Sequence, residues 1–245
     1  MLRFYKTLFA FIVFILFAFT SCKKDDNYVR VKFAEESVLY PEGIEDRDAL
    51  LMAIRDYVRL SIASTAEFPV DLALAEFVDE DFKNVGQVKL NNDSLAKTSA
   101  NFYVSNIDKS NYKLEPGNEN QWSISGGNGF ESFNKKLAVK MPAKIVFESL
   151  PSMISLSNDI TLKVVDFPSN AQAIIWKLTD VDGHFIQKET ITNELTLTAA
   201  ELSKLSPGRN SLIKVAAYSL EKWEDDGKNY VFVNEMVEMS SIEFK

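Results

Sequence analysis

The last hundred residues alternate between apolar and polar side chains, and this period of two is the strongest constraint on the fold. In an extended strand every second side chain shares a face, so such alternation predicts half-buried strands. The segments concerned are 160–164, 173–178, 184–191, 195–197, 211–220, 230–237 and 240–244. Asp182-Gly183 and Asp226-Gly227 are tight-turn dipeptides that join two of these pairs. About seven strands at this spacing predict an all-β sandwich.

A short stretch in this region also resembles a known family. Leu205-Ser206-Pro207-Gly208, followed by the strand 213–218, resembles the turn and strand F of fibronectin type III domains. The resemblance implies that residues 143–245 form an immunoglobulin/fibronectin III-like β-sandwich. Trp176 would then be a buried core residue on strand C. The segment 199–205 is expected to be one helical turn or a loop.

Residues 28–142 are predicted to form a second β-rich domain. Short strands are expected at 70–77, 85–90, 102–104, 112–114 and 121–125. The segment 48–64 predicts a short helix, because Leu51, Ile54, Val58 and Ile62 recur at spacings of three and four. A strand is the alternative, because residues 57–62 also alternate with a period of two.

The start of the chain has the three zones of a secretory signal, which we place at residues 1–21. Arg3 and Lys6 precede a run of 12 apolar residues, which is shorter than the about 20 needed to span a membrane. Phe19-Thr20-Ser21-Cys22 resembles a lipobox, the cleavage motif of bacterial lipoproteins. Cys22 is the only cysteine, and acylation, with palmitate among the chains, gives it a use. Residues 22–27 are then a lipidated tether.

Further segments resemble uncharacterised surface lipoproteins of the Bacteroidota. They are the charged start 23–27, together with 86–91, 122–126 and 230–235. The resemblance implies a protein anchored to the outer membrane, on the cell surface rather than on the periplasmic face. It implies no catalytic residues.

Charge and cysteine content exclude several classes of function. The net charge is −8, and removal of the leader makes it two units more negative. Phosphate backbones repel such a chain, so nucleic acid is not an expected partner. With Cys22 acylated, no thiol remains for a disulfide or a thiolate metal site.

The chain shows no motif for catalysis or metal binding. His184 is the only histidine and stands beside the turn at Asp182-Gly183, and no G-x-S-x-G elbow is present. Asp79-Glu80-Asp81 and Glu224-Asp225-Asp226 offer oxygen ligands for calcium, but neither has the spacing of an EF-hand loop. We therefore predict no catalytic residue, no bound metal and no cofactor.

Aromatic residues near turns are the remaining candidates for binding. Trp223 and Tyr218 are the two speculative ligand-binding residues, and Phe130, Phe133 and Tyr112 are further aromatics expected to be exposed. Exposed aromatic faces stack on sugar rings and peptides. The sequence therefore predicts a non-catalytic binding or adhesion module whose partner is a glycan or an envelope or host protein. The alternatives are a structural accessory subunit of an outer-membrane assembly and, last, a hydrolase.

Overall fold

Two sheets face each other in the C-terminal part of the chain. The structure is a computed structural model that describes residues 38–59, 67–106 and 112–245. A three-stranded sheet of β10 (Phe147–Ser149), β12 (Ile160–Val164) and β15 (Glu194–Leu197) covers part of a larger sheet. In the larger sheet the matching strands are β14 (Phe185–Thr190), β13 (Ala173–Thr179), β16 (Gly208–Asp225) and β17 (Lys228–Phe244).

The side chains between these sheets form a dry core. Trp176, Leu162, Leu197 and Val215 are among its fully buried members, as alternation predicts. The β-sandwich predicted for the C-terminal residues is confirmed, with Trp176 in its core. The strand β11 (Met153–Ile154) runs parallel to the end of β17.

A single helical turn, α1 (Ala199–Leu202), lies in this sandwich. Thr198 caps it, and the Glu201 side chain bonds back to the Thr198 backbone, which forms a capping box. Of the two expectations for 199–205, the helical turn is confirmed.

The hairpin of β16 and β17 is much longer than the alternation suggested. Its strands have 18 and 17 residues and are joined at Asp226-Gly227, where both residues have positive φ. That geometry is typical of a tight hairpin turn. The predicted strand 240–244 is the end of β17 rather than a separate element.

The long hairpin also forms the wall of a second core. Beyond β17 the large sheet continues through β1 (Ala49–Arg59), β2 (Glu67–Asp79), β7 (Tyr103–Val104) and β6 (Ala96–Lys97), and β3 (Asp81–Phe82) pairs with β2. A four-stranded sheet covers this part; its order is β5 (Asp93–Ser94), β4 (Val88–Leu90), β8 (Glu119–Ile124) and β9 (Phe133–Lys140). Trp122, Phe77 and Phe232 are buried between them.

The helix predicted over 48–64 is wrong for the described residues 48–59. They form β1, a strand inside the sheet that pairs in parallel with β17 and antiparallel with β2. Residues 49–56 are all buried, so both faces of the strand are covered. A strand covered on both sides carries an apolar run with no period of two. The strand expected at 112–114 is also absent there.

The two cores meet within one compact unit, Leu39–Lys245. Both use the β16–β17 hairpin, so the division at residue 142 stays a prediction. Within the described ranges no helix is long and apolar enough to cross a membrane. The leader 1–21 and the tether 22–27 with Cys22 lie outside the described residues.

Alternate residues of β17 point to two faces of the large sheet. Phe232, Asn234 and Met236 point toward the cores, and we call this side the core face. Val233, Glu235 and Val237 point the other way. Residues 39–44, which we call the strap, run across that second side, and we call it the strap face.

Candidate functional site

Trp223 lies on the core face near the turn of the long hairpin. Its ring is half-buried and packs at 5.0 Å from Tyr230, with the edge of Phe133 at 5.2 Å. The ammonium of Lys135 lies 5.0 Å from the ring centroid. Lys135 and Tyr230 therefore occupy space that a stacking ligand would need. A ligand-binding role for Trp223 stays a prediction, and it requires Lys135 to move.

The ammonium of Lys135 is itself held in place. It lies 2.8 Å from Glu221 Oε1, while Glu221 Oε2 accepts a hydrogen bond from the Ala138 N–H at 2.6 Å. Burial opposes ionisation of Glu221, but these two donors hold its pKa below the ordinary value. The Trp223 environment is thus a paired and packed edge of the core.

Tyr218 is a buried residue of the strap face. Only 6% of it is exposed, and its hydroxyl donates to Glu189 Oε1 at 2.6 Å. Burial, and then the neighbouring Glu189 carboxylate, raise the pKa of Tyr218. The expected exposure is wrong for Tyr218, Phe130 and Tyr112, which are only 6%, 3% and 0% exposed. A ligand-binding role for Tyr218 stays a prediction.

His184 lies on an exposed turn that Asp180 organises. Asp180 Oδ1 accepts the N–H groups of Asp182 and His184, and Oδ2 accepts the N–H of Ser206. Oδ2 also lies 2.9 Å from His184 Nδ1. Burial opposes ionisation, but these bonds hold the pKa of the Asp180 carboxyl well below its usual range.

This turn contains residue types that bind metals, but the Asp180 carboxylate already accepts hydrogen bonds within the turn. Asp180, Asp182 and His184 bring potential ligand atoms within 4.8 Å of one another. Both Asp180 oxygens, however, already serve the turn, which is a sufficient reason for their position. Asp79-Glu80-Asp81 and Glu224-Asp225-Asp226 lie at turns, and within the described residues neither brings three ligand atoms together.

A cluster that sequence reasoning missed lies on the strap face. Asp56, Lys214 and Glu235 come from β1, β16 and β17, and their exposed fractions are 6%, 7% and 0%. Burial raises the pKa of Glu235 to about 8, with Lys214 opposing the shift and Asp56 adding to it. Burial likewise raises the pKa of Asp56 and lowers that of Lys214. The sequence does contain one indication of this cluster: each of the three charged residues lies within an apolar run.

The comparisons with known proteins add little to this description. No protein-family model matches the chain, and no curated protein is similar to it. Among solved structures, the chain has a weak likeness to the fibronectin(III)-like modules of CbhA from Clostridium thermocellum. That match has 11% identity and a TM-score of 0.24, over 71% of this chain and 85% of the module chain. Such a score does not establish a common fold, so the sandwich rests on the strand pairing described above.

Proposed function

We propose that the chain is a lipid-anchored, non-catalytic binding module of the bacterial cell envelope. A leader followed by one lone cysteine supports the anchor, and an exposed apolar row on the sandwich supports binding. The row is the observation that carries the binding function. The partner we propose is an envelope or host protein, because large exposed apolar side chains on a sheet face are typical of protein-binding surfaces.

The apolar row crosses three strands on the strap face. Phe185 lies opposite Thr179 on the neighbouring strand, and Thr179 lies opposite Leu212 on the next. Phe185 is 58% exposed and Leu212 is 39% exposed, and Lys177 lies over the Phe185 ring at 4.4 Å. Large apolar side chains in register on a sheet face are typical of protein-binding surfaces.

The binding surface is tested by the double substitution Phe185→Ser and Leu212→Ser. We expect it to abolish recovery of a cross-linked partner from intact cells while the chain stays folded. The matched control is Ile191→Ser, because Ile191 is 80% exposed but lies at a hairpin end away from the row. Equal cross-linking by both variants would contradict a binding role for the row.

The anchor is tested at Cys22. Replacement by Ser is expected to stop incorporation of labelled palmitate and to release the protein from the membrane fraction, since one cysteine carries the acyl chains. Membrane-attached Cys22→Ser protein would contradict the anchor. Protease treatment of intact cells tests the location: we propose the outer-membrane surface, so the protein should be cleaved before lysis.

A structural accessory role in an outer-membrane assembly is the second candidate. The same apolar row favours it, because a permanent partner would cover Phe185 and Leu212 continuously. The two roles differ in stability of the complex. A stoichiometric complex that survives detergent extraction and is lost in the double Ser variant would favour the accessory role over transient binding.

A further inference from the structure

The strap is fastened to the strap face by a few polar contacts at its edges. The Glu42 N–H donates to Glu189 Oε2 at 3.1 Å, Lys222 Nζ donates to the Gly43 carbonyl at 2.8 Å, and Gln187 Nε2 donates to the Tyr40 carbonyl at 3.4 Å. The apolar side chains of Leu39 and Ile44 are buried. The strap belongs to no strand, and short segments outside the strand ladder open at lower free energy than the strands beneath them.

The carboxyl group of Glu235 lies under the strap without a hydrogen bond. Glu235 is fully buried, and neither of its carboxyl oxygens has a hydrogen-bond partner. The backbone N–H of Leu39, in the strap, points to this carboxyl and lowers its pKa, which offsets part of the rise that burial causes. Across the sheet Glu235 pairs with Tyr218, whose hydroxyl bonds Glu189, and Glu189 in turn accepts from the strap. The buried acid and the strap therefore share one set of neighbours.

The charges around Glu235 do not balance if every acid is ionised. The ionisable groups on this face include Asp56 of β1, Glu76 of β2, Lys177 of β13, Glu189 of β14, Lys214, Tyr218, Lys222 and Glu224 of β16, Glu243 of β17, and Tyr40, Glu42 and Glu45 of the strap region. Glu76 is paired with Arg47. Lys214 is then the ammonium that both Asp56 and Glu235 influence. One ammonium cannot compensate two buried carboxylates, so the more deeply buried acid, Glu235, keeps its proton.

We propose that the strap is a pH-sensitive latch, closed while Glu235 is protonated and released when Glu235 ionises. The observation behind it is a fully buried carboxyl beneath a segment that belongs to no strand, and it is independent of the proposed function. In the open strap Glu235 meets water and regains an ordinary pKa near 4.5, whereas in the closed strap the pKa is about 8. Between these values each opening releases a proton, so the open fraction rises about tenfold per pH unit and levels off above pH 8.

Hydrogen exchange of the full chain in detergent tests the latch. Protection factors for residues 39–45, corrected for the intrinsic pH dependence, are expected to fall about tenfold per pH unit between pH 5 and 8. Glu235→Gln replaces the ionisable carboxyl with an amide of nearly the same size. The protection factors of the strap in this variant should therefore not change with pH. Glu238→Gln is the matched control: it lies on the same strand and is 1% exposed, but it faces away from the strap.

A second variant distinguishes the contacts that hold the strap from the ionisation of Glu235. Tyr218→Phe removes the hydroxyl that holds Glu189, so it should lower protection of the strap by a similar factor at every pH and leave the slope unchanged. A slope that persists in Glu235→Gln would overturn the proposal. So would protection of residues 39–45 that equals that of β16 and β17 at every pH, since the strap would then open only when the whole molecule unfolds.

Discussion

Asn234 and Glu235 are neighbours in the same strand, are both fully buried, and lie on opposite faces of the sheet. Every polar atom of the Asn234 amide is bonded: Oδ1 accepts from Asn120 at 2.7 Å, and Nδ2 donates to the Val139 carbonyl and to Ser219 Oγ. Glu235 has no hydrogen bond to either carboxyl oxygen.

The difference shows two uses of a buried polar residue. Asn234 joins two sheets, because Asn120 and Val139 belong to the four-stranded sheet, and Ser219 Oγ continues the chain of bonds to the Lys140 carbonyl. A satisfied network of this kind specifies one arrangement of the sheets. The Glu235 side chain forms no such network between the sheets. Burial of Glu235 lowers the free energy of unfolding more when the carboxyl is ionised than when it is protonated. The stability of the fold therefore depends on pH through this residue.

The largest expected effect is the pH dependence that Glu235 imposes on stability. The pKa of Glu235 is raised in the folded chain to about 8 from 4.5, so the unfolded state loses its proton first as pH rises. Stability from this group is therefore present at low pH and is lost between pH 4.5 and 8. The stability advantage of Glu235→Gln over the parent should grow by about 4 kcal/mol between pH 5 and 8, measured by denaturant unfolding.

A substitution on the opposite sheet of the sandwich provides the control for this pH series. Glu194→Gln changes a carboxylate that is 48% exposed and paired with Lys163. Its stability should follow the parent across the same pH range, because water already solvates it. If Glu235→Gln followed the parent as closely as Glu194→Gln does, Glu235 would not impose the pH dependence expected of a buried carboxyl.

The next largest effect concerns the hydrogen-bond network of Asn234. Asn234→Ala removes both the acceptor and the donor of the Asn234 amide and leaves the Asn120 amide buried without its acceptor. We expect this to lower the free energy of unfolding by about 3 kcal/mol. The loss should not depend on pH between 5 and 8, unlike that of Glu235. The double variant Asn120→Leu and Asn234→Leu tests the mechanism. Replacing both partners with apolar groups should recover part of the loss, and a fully additive loss would contradict a shared network.

The sequence predicts those parts of the fold that are buried on one side. Segments such as 160–164 and 195–197 have one face in the sandwich core, so their period of two is visible. β1 is covered on both faces, and its apolar residues at 51, 54 and 58 match a helical spacing by coincidence. Its parallel pairing with β17 joins residues about 180 positions apart, and no local pattern encodes that register.

The same reason limits prediction of the buried charged cluster. Asp56, Lys214 and Glu235 meet because three strands pair in a particular register, and each alone is a charged residue in an apolar run. The aromatic candidates were misplaced for a related reason. Tyr218 was assigned to a strand end, but β16 continues to Asp225, and this places Tyr218 in the middle of the sheet.

The smallest expected effect concerns the ion pair of Lys135 and Glu221 at the edge of the core face, which is partly exposed. Lys135→Met keeps an apolar chain over the Trp223 ring but removes the ammonium near Glu221, so the cost should be about 1 kcal/mol or less. The pKa of Glu221 should rise toward its ordinary value, which NMR titration of the side chain can follow. The Ala138 N–H still donates to Glu221, so the rise should be partial. A loss as large as that of Asn234→Ala would mean that the exposed pair, rather than the buried amide network, holds this end of the two sheets together.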